Sequence, residues 1–204
     1  MMKYQRTLLL SVSCFLLAFL CSILWGYQKD GNLNERIAPQ LLRFHVLANS
    51  NSQKDQQLIT ELKSLLLEKL QDCPANSKEE ICTYIREHKQ ELETYANTYL
   101  TDKGCNYGAN ISVTQAYFPT KSYGDLVLPC GTYDTVQVEL GDARGRNWWC
   151  VLYPRLCFID STHAILPEDS RQELKNILSE EDYYAVLEDP IQIRFRLKLL
   201  ELIH

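Results

Sequence analysis

The segment R-G-R-N-W-W-C-V-L-Y-P-R-L-C-F, residues 144–158, combines bulky aromatic side chains with two closely spaced cysteines. Neighbouring side chains of a β-strand point to opposite faces of the sheet, so Trp148 and Trp149 cannot both enter one core. We expect one indole to pack inside and the other to meet a second layer or the surface. Cys150 and Cys157 are spaced to close the loop that follows the strand. The segment therefore predicts a rigid recognition feature or an unusually constrained core.

The body of the chain shows two kinds of hydrophobic periodicity. Apolar residues alternate with polar ones, as in half-buried strands, over residues 41–48, 109–117, 133–140 and 147–153. Leucines and aromatic residues recur every three or four positions, as in helices, over residues 54–71 and 77–100. The glycines of residues 141–146 predict a hairpin turn. We predict an α+β domain in which a helix pair covers one face of an antiparallel sheet of about four strands.

Polar residues predict where these helices begin and end. One residue of the Asn49–Ser52 stretch should cap the first helix, and Ser77 opens a capping-box-like start for the second. Gly104 should end the second helix. His88 lies on its apolar stripe, and we expect a half-buried imidazole with a hydrogen-bond partner.

The C-terminal segment is predicted to be helical. Residues 167–178 and a short stretch from residue 179 begin with acidic residues that favour helix starts. Residues 191–202 are predicted as a further helix, with a strand as the alternative because their first apolar residues alternate.

The N-terminal segment is apolar and uncharged from residue 8 to residue 25, a length of roughly 27 Å as a helix. That length is marginal for a membrane span and long for the centre of a signal peptide. Lys3 and Arg6 precede it, which predicts a cytosolic N-terminus and an exported body. No small-x-small cleavage motif follows, which favours an uncleaved anchor. We divide the chain into a signal peptide or signal anchor (1–27), a linker (28–40) and an exported domain (41–204).

The net charge of the chain limits the classes of partner that it could bind. The formal charge is −5, and the first 25 residues contribute +2, so the remainder carries −7, which argues against nucleic acid as a partner.

Six cysteines lie outside the apolar segment, and an even number in an exported domain indicates disulfides. We predict that they pair with their neighbours in sequence; free thiols are the alternative. The predicted pairs are Cys73–Cys82, Cys105–Cys130 and Cys150–Cys157.

Catalytic and metal-binding patterns are missing from the sequence. It contains no Gly-rich phosphate loop, no G-x-S-x-G and no H-E-x-x-H, and without a C-x-x-C a zinc site is poorly supported. We therefore predict no enzyme, cofactor, metal or small-molecule substrate. The alternative is a secreted cell-wall hydrolase or thiol enzyme that uses His45 or His163 as its base.

Candidate partner-binding residues lie in three places. Arg43 and His45 share the strand face opposite Phe44, which could be open; the alternative is that Arg43 pairs with an acidic neighbour such as Glu139. The loop at residues 117–125 carries three aromatic side chains suited to protein recognition, unless it folds back onto the core. The predicted set is Arg43, His45, Asn49, Tyr117, Phe118, Pro119, Lys121, Tyr123, Asn147, Trp148 and Trp149.

Three blocks of sequence resemble the stage II sporulation protein R family of endospore-forming bacteria. They are F-H-V-L-A-N-S-N-S-Q-K-D-Q (44–56), Y-F-P-T-K-S-Y-G-D-L-V-L-P (117–129) and G-R-N-W-W-C-V-L-Y-P-R-L-C-F (145–158). The resemblance implies a signalling protein exported from the forespore into the intermembrane space. There it would activate a membrane-embedded aspartic protease that cleaves the sigma-E precursor. It implies no established binding residue, and Cys73, Cys82, Cys105 and Cys130 look like additions to the family pattern.

Overall fold

The computed structural model describes residues 2–71, 73–157 and 166–187. All four predicted strands and both predicted helices of the body are present, the second helix as two shorter ones. In chain order the elements are α1 (Met2–Ile37), a 3-10 helix (Ala38–Gln40), β1 (Leu42–Leu47), α2 (Gln53–Gln71), α3 (Lys78–Glu87), α4 (Lys89–Asp102), β2 (Ala109–Phe118), β3 (Lys121–Tyr123), β4 (Leu126–Leu128), β5 (Gly131–Leu140), β6 (Asn147–Tyr153), α5 (Glu168–Ile177) and α6 (Glu180–Val186).

Four strands form the main sheet in the order β2-β5-β1-β6, and β3 and β4 pair separately as a small hairpin. The α+β class and the four-stranded sheet are confirmed. One detail differs from the prediction, because β1 and β5 run parallel while the other two pairs are antiparallel. A parallel pair requires a long crossover connection, and α2, α3, α4 and the strands β2 to β4 supply it.

The predicted hairpin turn at residues 141–146 is wrong, because β1 lies between β5 and β6. The segment instead crosses over the end of β1. Its backbone is held there by hydrogen bonds from the Gly145 amide to the Ala48 carbonyl (2.8 Å) and from the Arg144 amide to the Asn49 carbonyl (3.2 Å). The turn residues predicted a reversal of the chain but could not show which strand would be the neighbour.

The first core lies between one face of the sheet and the helices α2, α3 and α4. The predicted single helix over residues 77–100 is divided at His88, which ends α3 and begins α4. His88 is half-buried, stacks on Tyr84 and contacts its carbonyl oxygen at 2.9 Å, as expected for a structural histidine. Ser52 and Ser77 cap α2 and α3 as predicted, since their hydroxyls accept the amides of Asp55 and Glu80.

A second core covers the opposite face of the sheet, the face that the sequence left as a candidate open surface. It contains apolar side chains from α1, the β3–β4 hairpin, α5 and α6, packed against residues of the main sheet such as Tyr133 and Val151. The domain is therefore three-layered. Polar residues on this face of β1 are buried as a consequence.

The predicted linker at residues 28–40 is instead the end of α1 and the 3-10 helix. Leu33 and Ile37 are buried in the second core, and the Arg36 guanidinium is 2.7 Å from the Asp182 carboxylate of α6. The segment looks polar in sequence because only one side of the helix faces the domain.

The predicted helices near residues 167–178 and 179 are present as α5 and α6, and Ser179 caps the latter by accepting the Asp182 amide. The helix predicted at residues 191–202 and the candidate base His163 lie outside the described residues.

Of the three predicted disulfides, the structure forms Cys150–Cys157, with Cα atoms 5.4 Å apart. Cys73 and Cys82 are free thiols buried in the first core. Cys105 and Cys130 precede β2 and β5, which pair antiparallel over ten residues, so the two thiols lie at opposite ends of that ladder. The ladder is roughly 30 Å long, far beyond the reach of a disulfide.

Replacing Ile37 by alanine should destabilise the domain, because this side chain is fully buried in the second core. We expect the free energy of unfolding to fall by about 2–5 kcal/mol. Denaturant titration of the full chain in mild detergent measures this. Leu24→Ala in the exposed part of the same helix is the control, and equal effects of the two substitutions would contradict docking of α1.

Candidate interaction surface

Arg43 lies fully buried at the centre of the sheet. Its Nε donates to the Cys150 carbonyl (3.1 Å) and one terminal nitrogen donates to the Tyr123 hydroxyl (2.9 Å). The guanidinium carbon lies 4.3 Å from the ring centre of Phe118 and 4.9 Å from that of Tyr133. Burial lowers the pKa of Arg43, and the two tyrosines oppose this shift. Arg43 therefore stabilises the interior and is not an open contact residue.

The alternative partner considered for Arg43, Glu139, is engaged elsewhere. Its carboxylate accepts hydrogen bonds from Asn110 (3.1 Å) and Gln137 (2.8 Å) on the sheet surface. The cation is instead surrounded by aromatic faces, which attract positive charge electrostatically. Aromatic faces and two hydrogen bonds therefore surround Arg43 in place of the alternative ion pair with Glu139.

His45 is also buried, and its ring stacks on Trp149 with ring centres 3.7 Å apart. Burial lowers the pKa of His45 to about 4, against the opposing effects of Asn147 and Glu139. The imidazole is therefore uncharged at neutral pH. Cys150 lies on the other face of the sheet, in the first core, and is held in a disulfide, so it offers His45 no thiolate to activate. This geometry disfavours a thiol enzyme based on His45.

The two tryptophans lie on opposite faces of β6, as the strand alternation predicted. Trp148 packs edge-on against Phe44 of the first core, with Lys63 Nζ 4.3 Å from its ring centre. Trp149 packs against Phe118 of the second core, with ring centres 4.6 Å apart. Both indoles are half-buried, so they clamp β6 to both layers and do not form one shared aromatic patch.

The aromatic segment after β2 folds back onto the protein. Phe118 is fully buried, and the Tyr123 hydroxyl donates to the Trp149 carbonyl (3.3 Å) while it accepts from Arg43. The expected loop is therefore largely the β3–β4 hairpin, with Gly124 in a left-handed turn (φ 60°). Phe118 cannot contact a partner in this conformation. Tyr117, Pro119 and Lys121 are half-buried near the end of β2 that is remote from Asn147.

A buried carboxylate, Asp55, organises the opposite end of the sheet. It accepts hydrogen bonds from Asn49 (3.0 Å), Ser50 (2.5 Å) and the Tyr107 hydroxyl (2.5 Å). Burial alone would raise the pKa of Asp55, but these bonds hold it below its usual range. Asp55 thus ties the end of β1 and the start of α2 to the segment before β2. Sequence reasoning missed this role, although Asp55 lies within one of the quoted blocks.

Two loops meet above this carboxylate, and we call residues 48–52 and 141–147 together the end-loop surface. The amides of Arg144 and Gly145 donate to carbonyls of the first loop. In addition, the Asp142 amide donates to the Asn49 side chain (3.0 Å). Gly145 touches the Ser50 carbonyl so closely that a Cβ atom there would clash with the backbone. The glycine therefore reflects the close approach of two loops and not a flexible turn.

The end-loop surface is positively charged at its tip. Arg144, Arg146 and Asn147 are exposed, and neither arginine forms an ion pair with any residue that the structure describes. Asn49 is half-buried beneath them. Asp142 in the same loop offsets one of the two cations, so the end-loop surface carries a net positive charge on a chain that is acidic as a whole.

Catalytic groupings are not evident in the described residues. No group of three or more His, Cys, Asp or Glu side chains there could hold a metal ion. A small cavity in the first core is lined only by apolar side chains, including Phe44, Leu66 and Val138. Such a lining offers no proton donor or acceptor for chemistry.

A family model described as stage II sporulation protein R matches residues 38–163. The chain belongs to the stage II sporulation protein R family. It is 33% identical over 164 residues to stage II sporulation protein R of Bacillus subtilis (strain 168), covering 79% of this chain and 72% of that protein. No solved structure gave a significant match.

The stage II sporulation protein R match includes the whole main sheet, the helices α2 to α4 and the disulfide. It also includes both halves of the end-loop surface. The elements α1, α5 and α6, which build much of the second core, lie outside residues 38–163. Residues 38–163 thus comprise the main sheet and the loops that connect its strands.

Removing the Asp55 charge should loosen the end-loop surface. We expect Asp55→Asn to lower the free energy of unfolding by about 1–3 kcal/mol, because buried hydrogen bonds to a charged acceptor are lost. Asp102→Asn, at the exposed end of α4, is the matched control and should change it by less than about 0.5 kcal/mol. Denaturant titration compares the two, and similar values would refute the role given to Asp55.

His45 should make stability depend on pH. Its folded pKa of about 4 lies below the value near 6.5 expected in the unfolded chain. The unfolded chain therefore binds more protons between these values, so stability is full above pH 6.5 and falls as the pH drops toward 4. Between pH 7 and pH 5 this residue should cost about 2 kcal/mol.

Denaturant titrations of the wild type and His45→Phe at both pH values check this expectation. The loss of unfolding free energy on acidification should be about 2 kcal/mol smaller in the variant. An unchanged pH dependence would show that His45 is not the group responsible.

Proposed function

We propose that this protein is an exported signal that activates a membrane-embedded aspartic protease during sporulation. That protease would then cleave the precursor of sigma-E and couple forespore to mother-cell gene expression. The observation that carries the proposal is membership of the stage II sporulation protein R family over most of the globular domain. The compact domain, with no catalytic grouping among its described residues, is consistent with action by contact.

The N-terminal helix supports the proposed direction of export. Lys3 and Arg6 precede the apolar stretch, an arrangement that keeps the N-terminus in the cytosol. The globular domain would then lie in the space between forespore and mother cell, facing the membrane that carries the protease. A disulfide between Cys150 and Cys157 suits such an extracytoplasmic location.

The end-loop surface is the part of the domain best suited to contact the protease. Two blocks that resemble the family, residues 44–56 and 145–158, supply most of it although they are distant in sequence. Asp55 and the backbone bonds across β1 hold it in one conformation, which lowers the entropy lost on binding. Arg144 and Arg146 would contact carboxylates on the extracytoplasmic side of the partner.

The other predicted contact residues take supporting roles in this proposal. Arg43, His45 and Phe118 are buried and would act by positioning β6 beneath the end loops. Trp148 and Trp149 fasten the same strand from both faces. Asn49 and Asn147 are the predicted residues that belong to the end-loop surface itself.

Charge reversal at Arg144 and Arg146 tests the proposal. The chain is co-expressed with the protease and the sigma-factor precursor in a host that does not sporulate, and the processed fraction is measured. We expect Arg144→Glu with Arg146→Glu to reduce the processing rate at least tenfold, about 1.4 kcal/mol, because attraction becomes repulsion.

Each single reversal, Arg144→Glu or Arg146→Glu, is compared with Arg86→Glu, which reverses one exposed charge on α3 and should process normally. Secretion and thermal unfolding of all variants should equal those of the wild type. Normal processing by the double variant would exclude the end loops as the contact. Processing without the protease would instead indicate that this protein is itself a hydrolase.

A further inference from the structure

The helix α1 runs without interruption from the apolar segment into the globular domain, over 36 residues. Nearly all of its apolar side chains from Leu10 (65% accessible) to Trp25 (77%) are exposed. A stretch of this length and hydropathy could cross a membrane. Gly26 and Gly31 lie within the helix and do not break it, so no flexible segment separates the apolar part from the docked part.

The last turns of α1 are fixed to the domain by several independent contacts. Leu33 and Ile37 are buried in the second core, and Arg36 pairs with Asp182 on α6. The Asn34 side chain covers Gly131 at the start of β5, where a Cβ atom would overlap it. These contacts lie on one side of the helix and fix both its position and its rotation about its own axis.

The connection from α1 to β1 is tied to the other layer of the domain. The carbonyl of Pro39, in the 3-10 helix, accepts a hydrogen bond from the buried Lys78 ammonium of α3 (2.8 Å). The same ammonium pairs with the Asp134 carboxylate of β5 (2.6 Å). A hinge movement at the exit from α1 would therefore break the hydrogen bond that the buried Lys78 ammonium donates to Pro39.

We propose that α1 is a rigid support that holds the domain at a fixed height and orientation on the bilayer in which its apolar part is embedded. From Trp25 to Leu33 the helix rises about 12 Å, which places the docked end just beyond the lipid headgroups. The end-loop surface lies at the opposite end of β1 from α1, roughly 20 Å further along the strand. This inference concerns the attachment to lipid and holds whether or not a protease is the partner.

The test measures how freely the domain tumbles when the full chain is reconstituted in nanodiscs of phosphatidylcholine and phosphatidylglycerol. Amide NMR line widths report this tumbling directly. A rigid support makes the domain rotate with the disc, so its lines should be several-fold broader than those of an independently tumbling domain of the same size. The experiment needs neither protease nor substrate, so its result is separate from that of the processing assay.

Two insertions between Gly31 and Asn32 provide matched variants of equal length. A seven-residue Gly-Ser insertion should sharpen the lines, because it introduces a flexible joint. A seven-residue Ala-rich insertion adds about two helical turns and should leave them broad. Narrow lines in the wild type would overturn the proposal. Broad lines in the Gly-Ser variant would also overturn it, since some other contact would then hold the domain to the membrane.

Discussion

β1 needs a partner strand on both edges because its backbone groups are buried in the middle of the sheet. β5 satisfies one edge in parallel and β6 the other in antiparallel fashion. A parallel neighbour demands a long connection, and the chain uses it to place three helices over one face. β6 lies on the side of β1 that faces away from β5, so the chain that leaves β5 must cross the end of β1 to reach it. This crossing brings residues 141–147 against residues 48–52. The end-loop surface is thus a consequence of the strand order.

The second face of β1 shows how polar residues are accommodated in this sheet. Arg43 and His45 are enclosed by Phe118, Tyr133 and Trp149, and α1, α5 and α6 close the layer above them. Aromatic faces, the Cys150 carbonyl and the Tyr123 hydroxyl stabilise the guanidinium, while the imidazole stays neutral. The rings also hold the β3–β4 hairpin and β6 in place, so these two buried residues connect the small hairpin with the strand beneath the end loops.

The two ends of β1 have different surroundings. Its first residues follow the docked end of α1, whereas its last residues enter the network around Asp55. In the arrangement that we propose, one end is attached to a bilayer and the other presents Arg144 and Arg146 to a partner. If the domain carries a signal between two membranes, as we propose, its rigidity lowers the entropy lost in orienting it.

The sequence by itself determined the local features of this protein. Hydrophobic periodicity located the strands and helices, serine hydroxyls marked the starts of α2 and α3, and strand alternation placed Trp148 and Trp149 on opposite faces. These features depend on residues that are close in the chain. Only the tertiary structure decided the strand order, the burial of Arg43 and His45, the docking of α1 and the separation of Cys105 from Cys130. Those features depend on which distant segments cover each other, and a local pattern of polar and apolar residues carries no information about that choice.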